Sequence, residues 1–362
     1  MKNILVVFTN SIAYNDGATC VMLNYIRNMN FEGLHIDFAS HNDADDKLIK
    51  ELNSKGIRYF NLGKRKAVLY YFFNLRRLLK EYDVLHVNGN SATTSIELIA
   101  GKSVGTKIRI AHIHNSKNTH PIIHKILLPL FNWSFNRGVA CSTIAGDWIF
   151  GKGKFMVLRN AIDIDKYKYT LEGRILVRNR LHILKESVVL GHVGMFNEQK
   201  NHKQLLAVFK EYVSRRPDSY LILVGDGILK EEIKKKAKDM GVFDKVVFLG
   251  KRSDIPDLLQ AMDTFIFPSL FEGLPLSVLE AQAAGLPCIL SNNVTKEVGI
   301  GEDVCFLDLC LSPDKWAMSI DKQSFNNTRK ERCERNITRL TAAGYNIKTE
   351  ANKLRDIYLD RI

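Results

Sequence analysis

Short apolar runs alternate with segments whose apolar residues recur at helical spacing along nearly the whole chain. In the first half, residues 4–8, 36–39, 84–87, 108–111 and 138–141 are compact and mostly rich in β-branched side chains, and they predict buried strands. Amphipathic stretches between them, such as 19–29 and 45–54, predict helices. The second half repeats the logic with strands at 188–193, 220–224, 246–249, 264–267 and 288–290. Such alternation gives an α/β protein with parallel, doubly wound sheets and helices on both faces. At 362 residues, two Rossmann-like domains fit better than one. The pattern thins over the basic segment 166–180, read here as the linker, which gives domains 1–170 and 171–342. A final helical pattern over 343–362 carries Ile347, Ala351, Leu354, Ile357 and Tyr358 on one side.

The stretch 267–287, FPSLFEGLPLSVLEAQAAGLP, carries the most chemistry. It leaves a buried strand, turns, and starts a helix near Pro275 that Gly285 and Pro287 stop. That helix is apolar on nearly every face, yet it holds Glu280, with Glu272 just ahead of it in the turn. A carboxylate on a buried helix costs on the order of several kcal/mol unless it is paired. Between the two acids lie Gly273, Leu274, Pro275, Leu276 and Ser277, whose free amides at a helix start favour an anion. Two hydroxyl-binding carboxylates around a phosphate cradle suit a nucleotide sugar.

Charge is informative once divided. The chain is +13 overall, and residues 1–170 hold 23 Lys and Arg against 13 Asp and Glu. The excess points the first half toward an anionic partner, either a membrane surface or a phosphorylated acceptor. Nucleic acid is disfavoured, because no basic-aromatic repeat accompanies the charge. Residues 64–82, KRKAVLYYFFNLRRLLKEY, form a basic amphipathic stretch that reads either as a helix packed on the sheet or as a surface for anionic lipid through Lys64, Arg65, Arg76 and Arg77. The six cysteines lie without metal-ligand spacing, so they predict small core residues, a reducing cytosol and no metal site. The apolar run at the start is too short for a signal peptide, and no uncharged run reaches the roughly 18 residues of a membrane-crossing helix. A cytoplasmic protein, peripheral on the inner face of the membrane, is the expectation.

Other candidates sit at strand ends, where doubly wound sheets bind ligands. Gly17, after the first strand, can approach a phosphate closely. His112 and His114 alternate onto one face as the strand at 108–111 runs out, and His86 ends the preceding strand.

The block FPSLFEGLPLSVLEA resembles the Glu-x7-Glu motif of the retaining GT-B glycosyltransferases of the GT4 family (glycosyl transferases group 1), and closest among them the bacterial exopolysaccharide and capsular-polysaccharide transferases. Further blocks follow the family's order: ACSTIAGDWIFG, RNAIDIDKY and HVGMFNEQKNH. The resemblance implies a GT-B fold, with two Rossmann-like domains facing across a cleft and a C-terminal helix crossing back to the first. It implies transfer of a sugar, with retention, from a nucleotide diphosphate sugar (a UDP-sugar foremost) to a lipid-linked or oligosaccharide acceptor, without a metal or other cofactor. By the same resemblance Glu280 binds the ribose, Glu272 with the backbone of Gly273, Leu274, Pro275 and Leu276 holds the sugar, Ser277 is a further donor contact, and the helix-start amides face the diphosphate. Lys200 and Gly17 hold the diphosphate, Gly225 and Arg252 lie beside the base, and His114 lines the reacting face with His112 behind it. His114, Glu272 and Lys200 are thus the catalytic candidates.

The chain departs from the family in three places. Asp16 and Gly17 stand where two glycines are usual, Ala161 stands for the glycine of Asn-Gly-Ile-Asp, and Met195 takes the place of the arginine that shares the diphosphate with Lys200. Arg252 and Lys203 are candidate substitutes for that cation. Two other classes therefore stay open: a GT-B sugar-nucleotide epimerase, and a catalytically weakened binding partner.

Overall fold

The structure is a computed structural model describing residues 1–10, 12–13, 17–115, 121–301, 303–322 and 328–362. The chain divides into two compact units, Met1–Ala161 with Ile347–Ile362, and Ile162–Asn346.

In the first unit seven strands, β1 (Lys2–Phe8), β2 (Leu34–Ser40), β3 (Tyr59–Asn61), β4 (Val84–Gly89), β5 (Ile108–Ile113), β6 (Arg137–Ala140) and β7 (Met156–Val157), form one parallel sheet in the order β3-β2-β1-β4-β5-β6-β7. The order reverses between β1 and β4, the switch point where doubly wound sheets bind ligands. Phe8 pairs with Asn88 and Asn88 with His112, so the carboxyl ends of β1, β4 and β5 are level. Side chains alternate across the sheet. Ile4, Val6 and Phe8 enter one core, shared with the helix Gly17–Asn28 and the helix Ile347–Tyr358. Leu5 and Val7 enter the other, under the helices Val68–Leu78, Ser95–Ser103 and Pro121–Ser134. Ile347, Ala351, Leu354, Ile357 and Tyr358 are all buried in the first of these cores, so the end of the chain is an integral layer of this unit.

The second unit holds six parallel strands, β8 (Val188–Val193), β9 (Ser219–Val224), β10 (Val246–Gly250), β11 (Thr264–Phe267), β12 (Cys288–Ser291) and β13 (Val304–Leu307), in the order β10-β9-β8-β11-β12-β13. All four residues of β11 and of β12 are buried, as near-continuous apolar runs in parallel sheets should be. The strands absent from the sequence reading are β3 and β7, two to three residues long and too short for a periodic signal, and β13, whose four residues are only partly buried.

Residues 166–180 are structured, unlike the linker read from their composition. Thr170 caps the helix Leu171–Arg180 by accepting from the Gly173 amide. On that helix Arg174 and Arg178 each donate to Asp263 at 2.6 Å, and Asp263 also accepts from the Val189 amide. Two of the basic residues, Arg174 and Arg178, thus form a largely buried ionic clamp, while Lys166, Lys168 and Arg180 pair with acids at the surface. Ile162, Ile164 and Tyr167 belong to the core of the second unit.

Candidate active site

The turn between β11 and the helix Leu276–Ala283 is held from two sides. The Leu270 amide donates to the Gln199 carbonyl at 2.8 Å, and the Gln199 side-chain amide returns a bond to the Phe271 carbonyl at 2.9 Å. This clasp joins the turn to the short 3-10 helix Glu198–Lys200, where the Asn197 side chain accepts from the Lys200 amide. The outcome is an ion pair: Lys200 Nζ donates to Glu272 Oε1 at 2.5 Å, with the two side chains only 16% and 11% exposed. The same ammonium lies 4.6 Å from the Phe267 ring centroid, a cation–π contact. Its stem crosses Gly194, where an added Cβ would stand 3.2 Å from Lys200 Cδ and 2.8 Å from His192 Nε2. A side chain at 194 would collide with His192 and crowd the lysine stem.

Two histidines that the sequence reading left unassigned pack here. His192 donates from Nδ1 to the Ile266 carbonyl at 2.8 Å, and His202 stacks on Phe196. Burial, with the Lys200 charge adding to it, pushes His202 down to about 4, and burial likewise pushes His192 well below the usual imidazole range. Both are therefore neutral near pH 7 and add no positive charge beside Lys200.

The helix Leu276–Ala283 starts one residue later than its proline suggests. Pro275 is its cap, with no side-chain cap bond, so the Leu276 and Ser277 amides at the helix start have no intrahelical acceptor. Glu280, one turn inside, is paired: Tyr167 donates its hydroxyl to Oε1 at 2.8 Å. Burial raises the Glu280 carboxyl, and the Tyr167 bond opposes that rise. Tyr167 ends the 3-10 turn Ile164–Tyr167 and lies 113 residues away in sequence. Only its place in the block RNAIDIDKY hinted at it.

Gly225 has a structural task, since its φ is +145° and an added Cβ would overlap the Gly194 carbonyl. Arg252 forms a two-pronged pair with Asp254 at 2.8 and 2.7 Å on the surface, which helps pull that carboxyl down to about 2. Lys203 pairs with Glu232 at 2.8 Å and with Glu198 at 3.7 Å. Both candidate substitutes for the family arginine are thus engaged with acids, and the Met195 side chain is 61% exposed.

His114 and Gly17 lie in the first unit. His114 follows β5 and donates from Nε2 to Asn88 Oδ1 at 2.8 Å, while its amide donates to the Gly89 carbonyl. Behind it His112 lies with a ring separation of 4.1 Å, His86 shares a hydrogen bond with His112 at 3.1 Å, and Tyr358 closes the row with a 2.6 Å bond to His86. Burial takes His114 down to about 4 and His86 to about 3. Gly17 opens the helix Gly17–Asn28, and an added Cβ there meets nothing within 4 Å. The turn before it, residues 15–16, lies outside the described residues. Within the second unit the structure therefore joins Lys200 to Glu272 and gives Glu280 a partner, while Arg252 is tied to Asp254.

Residues 174–339 match the family described as Glycosyl transferases group 1. The chain is 29% identical to a putative glycosyltransferase EpsF of Bacillus subtilis over 94% of this chain and 93% of that one. It is 28% identical, over 80% of this chain and 79% of the relative, to an Escherichia coli UDP-Gal:alpha-D-GlcNAc-diphosphoundecaprenol alpha-1,3-galactosyltransferase. Among solved structures it resembles Anabaena Alr3699/HepE in complex with UDP, with a TM-score of 0.79 at 18% identity over 100% of both chains. A glycosyltransferase from Rickettsia africae gives a TM-score of 0.78 at 16% identity, covering 99% of this chain and 98% of that one. At those identities the likeness speaks to the fold. The chain carries a glycosyl transferases group 1 domain over residues 174–339, set in a GT-B fold.

Proposed function

We propose that this chain is a retaining glycosyltransferase that moves a sugar from a uridine diphosphate sugar to a lipid-linked or oligosaccharide acceptor in exopolysaccharide or capsule assembly. The observation that carries the reading is the Lys200–Glu272 pair at 2.5 Å, with Glu272 in the turn that leads into the helix Leu276–Ala283. A diphosphate offers Lys200 a stronger anion than one carboxylate does, and the Leu276 and Ser277 amides with the helix dipole favour the same charge. Once Lys200 turns to the phosphate, Glu272 Oε1 is free to accept from sugar hydroxyls, and Glu280 can accept from the ribose. Lys200 then stabilises the negative charge that grows on the departing diphosphate. His114, neutral and fixed by Asn88, lines the reacting face, and the acceptor enters on the side from which the phosphate leaves. Lys200 offsets part of the diphosphate charge and the helix-start amides donate to it, and the reading assigns no metal. The names of EpsF and of the diphosphoundecaprenol galactosyltransferase support the polysaccharide and lipid-linked parts. Among the described residues no helix is long and apolar enough to cross a membrane. The reading places the work in the cytoplasm, at the inner face of the membrane.

The test is a thermal-shift panel of nucleotide sugars, followed by transfer to a diphosphopolyprenyl acceptor in chelator, with the anomeric configuration of the product read by NMR. A stabilising UDP-sugar and an axial-to-axial product support the reading. An inverted product, a chelator-sensitive rate, or a free epimer released without acceptor overturns its corresponding part, the last identifying a sugar-nucleotide epimerase. A second reading, a weakened binding partner, is favoured by the exposed Met195 and by the acids that hold Arg252 and Lys203. Donor binding without turnover, with turnover restored by Met195→Arg, would select it.

A further inference from the structure

On the face of the first sheet that packs against the helix Ile347–Tyr358, two neighbouring strands change character along their length. Val84 on β4 and Ile108 and Ile110 on β5 enter the apolar core. Toward the carboxyl ends their places on that face pass to His86, Asn88, His112 and His114. His86 and His112 are fully buried and Asn88 is 2% exposed. Polar groups in such a place lose their hydration and must be paired within the protein.

A chain of hydrogen bonds gives the row a direction. Tyr358 Oη lies 2.6 Å from His86 Nδ1, and His86 Nε2 lies 3.1 Å from His112 Nδ1. Burial keeps both imidazoles neutral near pH 7, so each ring carries one hydrogen. The Tyr358 end decides where those hydrogens are. Tyr358 is fully buried, and among the described residues His86 Nδ1 is the hydrogen-bond partner of its hydroxyl. A buried O–H donates to an acceptor within reach, so Tyr358 donates to Nδ1 of His86. The hydrogen of His86 is then on Nε2, from which it is donated to Nδ1 of His112. His112 in turn carries its own hydrogen on Nε2.

That Nε2 has no partner, and neither has Nδ1 of His114. His114 donates from Nε2 to Asn88 Oδ1 at 2.8 Å, which leaves its Nδ1 bare. The two rings stand 4.1 Å apart, so an unmatched donor and an unmatched acceptor, both buried, occur on adjacent rings. Such atoms are costly to leave unpaired. A hydroxyl group accepts and donates through one oxygen, so a single hydroxyl satisfies both.

We propose that Tyr358 is a positioning residue: through His86 it fixes the tautomer of His112, so that the His112 N–H and the bare Nδ1 of His114 form a donor–acceptor pair for one hydroxyl of a sugar substrate. The sugar rests on the proposed function, which sets His114 at the reacting face, whereas the tautomer does not depend on it. With the opposite tautomer His112 presents a second bare nitrogen, and the pair loses its donor. Tyr358 lies 272 residues from His86, so no local signal in the sequence links them.

Nitrogen NMR of the full chain with labelled histidine rings distinguishes a ring nitrogen that carries hydrogen from a bare one. The variants His86→Gln, His112→Gln and His114→Gln assign the signals by loss. Expected in the wild type near pH 7 are hydrogens on Nε2 of all three rings. Tyr358→Phe removes one oxygen at nearly constant volume and should let His86 and His112 populate both tautomers. Its kcat/KM for sugar transfer should fall about three- to tenfold, the effect of one neutral hydrogen bond, with UDP affinity by calorimetry unchanged. Adding UDP-sugar, with UDP as the control, and then the acceptor identifies the hydroxyl. Movement of the His112 Nε2 and His114 Nδ1 signals on the first addition assigns it to the donor sugar, and on the second to the acceptor. Signals that move with neither overturn the hydroxyl site. A wild-type His112 with its hydrogen on Nδ1 overturns the positioning role, and should Tyr358→Phe fail to fold, that measurement alone decides. So does a folded Tyr358→Phe variant whose ring signals or transfer efficiency match the wild type. A chain with the expected tautomers and no sugar transfer would instead sink the proposed function and leave the Tyr358 row standing.

Discussion

Exchange of Lys200 from Glu272 to a diphosphate predicts opposite effects for the two halves of the pair. The side chains are 16% and 11% exposed, so the pair stands between a surface ion pair and a buried one. Removing one partner of a buried pair costs about 3–5 kcal/mol, and a surface pair is worth about 0–1, so Lys200→Met or Glu272→Gln should each lower unfolding stability by roughly 1–3 kcal/mol. The double variant should lose less than the sum, because neither charge is left stranded. Ligand binding separates the residues. Lys200→Met removes a charge-assisted bond of roughly 1.5–3 kcal/mol, which is about 10- to 100-fold in UDP affinity. Glu272→Gln releases the ammonium, so UDP should bind as well as before or up to about tenfold tighter. The same variant should lose the preference for UDP-sugar over UDP, because the hydroxyl acceptor has been weakened. Urea titrations give the stability cycle, and calorimetry with UDP and with the UDP-sugar gives the rest. If Glu272→Gln weakens UDP as strongly as Lys200→Met does, or the stabilities add within about 0.3 kcal/mol, the exchange does not occur.

Tyr167→Phe removes the donor that restrains the raised carboxyl of Glu280. A carboxyl whose folded pKa is raised contributes stability at low pH that is lost as pH climbs through that pKa, so the variant's deficit should be small near pH 4 and grow to roughly 1.5–3 kcal/mol at pH 7. Melting curves at the two pH values check it, and a pH-independent deficit would refute it. Arg65→Ala should behave as a stability variant, because Glu97 is fully buried and takes bonds of 2.8 and 3.1 Å from that guanidinium. A loss of about 3–5 kcal/mol is expected, while Arg77→Ala should leave the urea midpoint unchanged. Burial holds His114 to about 4 and His86 to about 3 against an ordinary 6.5, with His112 also well below it. These groups contribute stability above the ordinary value that is lost as pH falls toward the folded values, so the urea midpoint should decline from about pH 6.5 to 4. His112→Gln should flatten that decline, and an unchanged slope would count against the neutral row.

What could be read from the sequence followed how far each signal reaches along the chain. The buried helix with Glu280 on it and Glu272 just ahead was legible because proline, glycine and apolar spacing are local, and ten of the thirteen strands were legible for the same reason. The partners were not. Tyr167 reaches Glu280 across 113 residues, and Arg174 and Arg178 reach Asp263 across 89 and 85, so the last two passed for linker charge. Arg65 sits in a stretch that reads as a lipid-facing cationic surface, yet it is taken inward by Glu97. The helix Pro121–Ser134 shows a different limit. It is mostly apolar in sequence, yet Ile122, Ile126 and Trp133 are exposed, and periodicity carries no record of which side will lack a neighbour. Lys200 and Glu272 show the limit most sharply. The resemblance assigns each to a ligand, because their charges complement a diphosphate and a sugar. In the structure those charges complement each other at 2.5 Å, so under the proposed function ligand binding would be an exchange of partners, a competition that motif spacing does not reveal.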